Sequence, residues 1–321
     1  MKNLSKLFIL LVIIFGLLLS NCEDKKDVPS TPEKHLYIAF GQSNMQGPGS
    51  IREKDTQGVS LRWRTLNVVQ GVYAEEERAK GEWYRAMPPL IIPDVNLPHW
   101  DGQTFTTGLG PSDYFGRTLV KNIPEHITIG IVAVAHGALP LVAFHKTQAA
   151  GFFHPTTGAA DSTHRNGWDR YINAGYQSFY DAIITNAILA QEQGWIVKGI
   201  IVHQGESGAG SGVTTAWHDM LKEIYNDILL DLELAPNSIP ILLGQLWNGG
   251  TGPGGYLHTD NRIQEIIPKA WVISSAGCTK GRTGKGQPDN LHFGSEDLET
   301  FGTRYGAKML ELVYKKVITV E

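Results

Sequence analysis

Two stretches hold side chains whose types and spacing could open and close an acyl bond. Ser43 sits in Ala39-Phe40-Gly41-Gln42-Ser43-Asn44-Met45-Gln46-Gly47, directly after the short apolar run Leu36 to Phe40. A β-favouring run that ends in Gly and places Ser at the turn lifts a hydroxyl clear of a sheet, where α/β hydrolytic folds carry a nucleophile. A serine hydroxyl attacks poorly at neutral pH, so a base must stand within reach, usually a His, with a third group orienting it. Asp289-Asn290-Leu291-His292-Phe293, far along the chain, offers a carboxylate three residues before an imidazole. Ser43 is therefore the candidate nucleophile and His292 the candidate base. Alone, each stretch is weak, because a Ser after a strand is commonly an ordinary turn residue.

Together and in order, four blocks are more specific: Gly41-Gln42-Ser43-Asn44-Met45, Gly137 after an apolar strand, His203-Gln204-Gly205-Glu206-Ser207, and Asp289 with His292. They resemble the sialate O-acetylesterase-like branch of the SGNH hydrolases, which includes the acetylxylan esterases of carbohydrate esterase family six. The resemblance runs from about Leu36 to about Lys308, with the first and third blocks its most specific parts. It implies an oxyanion hole made of the Ser43 N–H, the Gly137 N–H and the Gln204 side-chain amide, and a carboxylate role for Glu206 around His292. The residue types agree in kind: an amide supplies uncharged donors, and a carboxylate stabilises an imidazolium. Glu206 and Asp289 both stand as candidates for orienting His292, with Glu206 acting alongside or in place of Asp289. The chain departs from its relatives at His136, where many carry a glycine, and at Gly208, where an acidic or amide residue is common.

The elements that must position these groups alternate along the chain. Buried strands are expected at Leu36–Phe40, Ile127–Ala135, Lys198–Val202, Ile239–Leu246 and Ala270–Ser274, each nearly continuous in apolar residues as in a parallel sheet covered on both faces. Helices are expected from Pro111, over Trp168–Gln193 ending at Gly194, over Thr214–Leu232, and over Ser295–Val317 with Ser295 as N-cap. Strand and helix in alternation mean a three-layer α/β/α sandwich around a five-stranded parallel sheet. The resemblance implies the same flavodoxin-like arrangement.

Pro48 to Gly108 shows no long helical period and is expected to be loops, with a short strand at Leu66–Val69. It carries Trp63, Trp83, His99 and Trp100, and tryptophan faces stack well on sugar rings, although most tryptophans anchor cores and loops. His145, His154 and His164 raise the question of a metal, but their spacing fits no compact ligand motif, and we expect no metal and no cofactor. The Gly-rich stretch Trp247–Gly255 lacks the Lys-Ser/Thr ending of a phosphate-binding loop and is read as a rim loop. Arg262 and Gln264 match a similar pair in relatives and are left without a role.

The first residues have the shape of an export signal. Lys2 and Lys6 precede an apolar run, Leu7 to Leu19, that closes on Leu19-Ser20-Asn21-Cys22, resembling a bacterial lipoprotein signal whose cysteine is acylated after cleavage. Residues 1–21 are thus expected to be a signal peptide, 22–34 a flexible tether with a lipid on Cys22, and 35–321 a single esterase domain at the outer membrane or cell surface. Cys278 then has no disulfide partner and is expected to be a small packed residue. Losing two of the 28 basic residues with the signal leaves 26 against 32 acidic ones, a formal charge of −6, which excludes the basic footprint that nucleic acid requires.

The expected activity is removal of O-acetyl groups from carbohydrates, of acetylxylan or sialic acid type, through an acetyl-enzyme. Two alternatives stay open: a non-catalytic surface glycan-binding protein, and a hydrolase of other acyl groups, which would require a long apolar channel.

Overall fold

Leu36, Ile38 and Phe40 face one hydrophobic core while Tyr37 and Ala39 face another, so strand β1 (Glu33–Gly41) is covered on both sides. That is why its run is continuously apolar rather than alternating. The computed structural model describes residues 31–73, 75–92, 107–149, 170–206, 215–246, 263–278, 283–284, 287–288 and 291–320. Strand β1 begins at Glu33, two residues before the expected domain start at 35.

Six further strands join it: β2 (Trp63–Leu66), β3 (Trp83–Arg85), β4 (Ile127–Ala135), β5 (Ile196–His203), β6 (Ile241–Gly244) and β7 (Ala270–Ile273). They form one seven-stranded sheet in the order β7-β6-β5-β1-β4-β2-β3. Every neighbouring pair is parallel except β2 with β3. The five expected strands are β1, β4, β5, β6 and β7, and the sheet is two strands wider than the five-stranded reading. The extra pair comes from the stretch read as loops, and the short strand lies at Trp63–Leu66 rather than Leu66–Val69. Four residues between turns carry almost no periodic signal, and their register against β4, Trp63 opposite Ile129, is a long-range choice.

Two helices cover each face. On one side α3 (Phe179–Glu192) and α4 (Thr215–Asp231) set Ile183, Ala187, Tyr225 and Ile228 against Ile38 and Phe40. On the other, α2 (Pro111–Asn122) and α5 (Ser295–Tyr314) set Phe115, Leu119, Phe301 and Met309 against Tyr37 and Ala39. This is the expected three-layer α/β/α sandwich. Gly302 and Gly306, four residues apart on one face of α5, allow it to lie against α2 almost backbone to backbone. A Cβ on Gly302 would stand 2.3 Å from the Pro111 carbonyl, and one on Gly306 would stand 2.6 Å from Thr118 Cβ.

Three helix boundaries differ from expectation, one of them the end of α5 at Tyr314 rather than Val317. The 168–193 helix is interrupted: Gly175 takes φ of +88° and Ser178 restarts the chain as an N-cap, accepting the Asp181 N–H at 2.9 Å. The cap of α5 is Gly294; Ser295 is already helical and its hydroxyl donates to the Ser50 carbonyl at 2.7 Å.

Of the tryptophans offered for sugar stacking, Trp63 is fully buried beneath Gly116, and Trp83 stacks on Trp195 at 4.1 Å between ring centroids. Both are packing residues; His99 and Trp100 lie outside the described residues. A groove of about 590 Å³, lined by Lys222, Leu229, Leu234, Pro236 and Ile266, lies at the end of the sheet where β6 and β7 begin. Ser43 stands at the other end, just after β1 finishes.

Candidate active site

The chain leaves β1 through Gly41, where no side chain fits. A Cβ there would stand 2.0 Å from the His203 carbonyl oxygen, and that same oxygen accepts the Gln42 N–H at 3.1 Å. The ends of β1 and β5 are thereby locked side by side. The next residues close one helical turn, α1 (Ser43–Gln46), and leave Ser43 partly exposed at the sheet's carboxyl edge, where parallel sheets carry their chemistry.

His292 comes from the loop before α5. Its Nε2 lies 2.7 Å from Ser43 Oγ, within hydrogen-bond range of the hydroxyl proton it would remove. The two residues are 249 positions apart, so only the tertiary fold makes the pair.

Asn44 is the link between them that residue-type reasoning passed over. It is completely buried, and both of its amide N–H donors and its carbonyl oxygen are engaged. Its Nδ2 donates to Glu206 Oε1 at 2.6 Å and to the Leu291 carbonyl at 3.2 Å, and its Oδ1 accepts the Phe293 N–H at 3.0 Å. The backbone is therefore held on both sides of His292. The available signal was a buried-type polar residue directly after the nucleophile, inside the most specific block.

Glu206 stands at the end of β5, its carboxylate almost wholly buried. Oε1 lies 3.2 Å from His203 Nε2, close enough for an ion pair though off the line of a hydrogen bond. Burial acts to raise this carboxyl, but facing His203 and receiving the Asn44 amide outweigh it and hold Glu206 below the usual carboxylate range. Among the described residues no hydrogen bond or ion pair joins Glu206 to His292; its contacts are Asn44 and His203. Asp289, the other candidate for that role, lies outside the described residues, as does Cys22.

The two side groups assigned to the oxyanion are both engaged. The Gly137 N–H, in the loop after β4, donates to Gln46 Oε1 at 2.5 Å. A Cβ on Gly137 would lie 3.8 Å from Ser43 Cβ, so this donor borders the nucleophile. Gln204 is buried, with Nε2 donating to the Leu139 carbonyl at 2.9 Å and Oε1 accepting the Gly205 N–H. It braces the loop two residues beyond Gly137. His136, in the expected glycine position, turns Nδ1 onto the Gly137 carbonyl at 2.9 Å.

Other sequence candidates sit apart from this arrangement. His145 is buried with Nε2 2.8 Å from Glu223 Oε2, while His154 and His164 lie outside the described residues. Among the described residues no three His, Cys, Asp or Glu side chains are grouped to hold a metal ion. Cys278 is half-buried, and burial pushes its thiol up to about 11, so it stays protonated and inert at neutral pH. Among the described residues no helix is long and apolar enough to cross a membrane.

Several solved structures share this architecture. A protein from Arabidopsis thaliana matches with a TM-score of 0.58 at 17% identity, covering 88% of this chain and 99% of its own. NanS matches with a TM-score of 0.60 at 13% identity, covering 89% of this chain and 99% of its own. A carbohydrate acetylesterase from Xanthomonas citri gives 0.51 at 18% identity, over 89% of this chain and 58% of its own. At such identities these likenesses speak for the fold. The profile of the family described as carbohydrate esterase, sialic acid-specific acetylesterase matches residues 33–311. With residues 33–311 of the 321 inside that match, the protein belongs to this family of carbohydrate esterases and is a carboxylic ester hydrolase.

Proposed function

We propose that the chain removes O-acetyl groups from carbohydrates through an acetyl-enzyme intermediate. The observation that carries the reading is the 2.7 Å approach of His292 Nε2 to Ser43 Oγ at the carboxyl edge of the sheet. Ser43 Oγ attacks the acetyl carbonyl while His292 takes its proton. The tetrahedral oxyanion is held by the Ser43 and Gly137 N–H groups, the substrate oxygen replacing Gln46 Oε1 as the acceptor at Gly137. Collapse breaks the bond to the sugar oxygen, which leaves with the proton from His292. Water, deprotonated by His292, then attacks the acetyl carbon, releasing acetate and restoring Ser43 Oγ–H. Asp289, three residues before His292, is the carboxylate assigned to the imidazole, because Glu206 is engaged with Asn44 and His203. Gln204, which braces the Leu139 loop through its bond to that carbonyl, is proposed as the third oxyanion donor beside the Ser43 and Gly137 N–H groups, the role that the resemblance implies.

The acetyl group and the sugar are supported by the family to which the chain belongs and by its structural likeness to the Xanthomonas citri carbohydrate acetylesterase. The deciding experiment measures acetate released from a chromogenic acetate ester, acetylated xylan and O-acetylated sialic acid, with Ser43→Ala as control. Release that is lost in the variant is the expected result and ranks the sugars. No release from any of the three would favour a glycan-binding protein or a different acyl group. We further propose that the chain is an exported bacterial lipoprotein anchored through Cys22, on the strength of the segment Leu7 to Cys22. Cys22→Ala is expected to move the protein from the membrane to the soluble fraction, and an unchanged membrane fraction would refute the anchor.

A further inference from the structure

We infer that Asn44, backed by the buried Glu206 and His203, is the positioning device that sets His292 against Ser43. This rests on the esterase reading above and deepens it. Three features of the arrangement support it. First, Asn44 follows the nucleophile immediately, so any displacement of its side chain is referred directly to Ser43. Second, it grips the base loop on both flanks, through the Leu291 carbonyl at 3.2 Å and the Phe293 N–H at 3.0 Å, leaving His292 as the residue spanned. Third, the amide is itself held. Glu206 Oε1 takes one Nδ2 hydrogen at 2.6 Å, which fixes which end of the Asn44 amide is donor and which is acceptor.

His203 completes the device from behind. Its ring is fully buried and packs edge-on against Phe293 at 5.6 Å and Phe301 at 5.3 Å. It thus touches the base loop through Phe293 and the Asn44 bridge through Glu206. A 1 Å error in the separation of nucleophile and base costs about 10²-fold in rate, so a rigid clamp of this kind acts on the chemical step rather than on sugar binding. Glu206 on this reading acts on His292 through Asn44 and is a positioning residue.

The test exchanges donor and acceptor across the 2.6 Å contact. Asn44→Asp puts an oxygen where Nδ2 stood, facing Glu206 Oε1 and the Leu291 carbonyl. It is expected to lower kcat by about 10²-fold with KM unchanged. Asn44→Asp combined with Glu206→Gln restores one donor and one acceptor across the contact and is expected to recover at least about tenfold of that loss. Two readouts are taken on folded protein: turnover of an acetate ester, and the rate at which a fluorophosphonate probe labels Ser43. If Asn44→Asp does not fold, Asn44→Ser removes the bridge without adding a charge and carries the same expectation.

Wild-type kcat and labelling in Asn44→Asp, or a double variant no better than the single one, would overturn the inference. If acetylated sugars are not hydrolysed while the probe still labels wild type, the carbohydrate reading fails and the labelling rates alone decide this one. A wild-type chain that the probe does not label overturns both.

Discussion

Two histidines at this site, His292 and His203, stand three residues from a carboxylate, and their surroundings give them opposite work. His292, after Asp289, is partly exposed at the sheet edge with Nε2 on Ser43 Oγ. His203, before Glu206, is sealed between Phe293 and Phe301 with its carboxylate beside it. One faces a nucleophilic hydroxyl that a substrate can reach from solvent, and the other is enclosed by core and a buried carboxylate. The difference teaches that an acid–imidazole spacing states a chemical possibility, while burial decides whether it turns over substrate or holds structure.

The largest effect expected from breaking the comparison is a split between the two rings. His292→Ala should lower kcat/KM by about 10⁴-fold with the melting temperature unchanged. His203→Leu should instead cost about 1–3 kcal/mol of stability, because it takes from the buried Glu206 carboxylate the polar ring beside it. Thermal denaturation and ester turnover on both variants check this, and a His203 variant of full stability would show the buried pair to be dispensable.

A second buried carboxylate sharpens the electrostatic half. Asp113, at the start of α2, is as buried as Glu206, but the only hydrogen bond to its carboxylate among the described residues is from the Gly110 N–H at 3.0 Å. Burial pushes its carboxyl up to about 7 against that bond, whereas Glu206 is held below the ordinary range by its partners. The signs follow from linkage. Asp113 contributes stability that is complete below its unfolded value near 4 and is lost as pH rises through about 7. Glu206 contributes stability present above its unfolded value and lost as pH falls through its lowered folded one. Asp113→Asn should therefore flatten the stability profile between roughly pH 4 and 7, removing a decline of up to about 4 kcal/mol. Denaturant titrations across that range test it; an unchanged slope would mean that the site relaxes to admit the charge.

The smallest effect concerns the donor beside Ser43. Gln46→Ala removes the acceptor that holds the Gly137 N–H and should raise kcat/KM about two- to fivefold, the worth of one exchanged hydrogen bond. A fall in its place would mean that Gln46 shapes the Gly137 loop instead of competing for its donor.

How far the sequence alone reached can be read from particular residues. The apolar runs at Leu36–Phe40 and Ile127–Ala135 announced buried parallel strands, because a sheet covered on both faces leaves no polar alternation to confuse the pattern. Gly41-Gln42-Ser43 announced the turn, since local backbone chemistry is written in local residues. Strands of three or four residues such as Trp63–Leu66 and Trp83–Arg85 carry too short a period to declare themselves, and the sheet grew wider than expected. Trp63 and Trp83 illustrate the same limit in side chains: a tryptophan looks alike to sequence whether it meets a sugar or a helix.

The residue types of the site, a hydroxyl, imidazoles, carboxylates and amides, were determined by the sequence. Their partners were decided only by the fold. Glu206 reaches Asn44, Gln204 reaches Leu139, and Gly137 reaches Gln46, each across a separation that no local pattern encodes. The reason is physical. Which donor meets which acceptor depends on where the strand ends are set side by side, and that is fixed by close contacts such as Gly41 against the His203 carbonyl, formed between segments far apart in the chain.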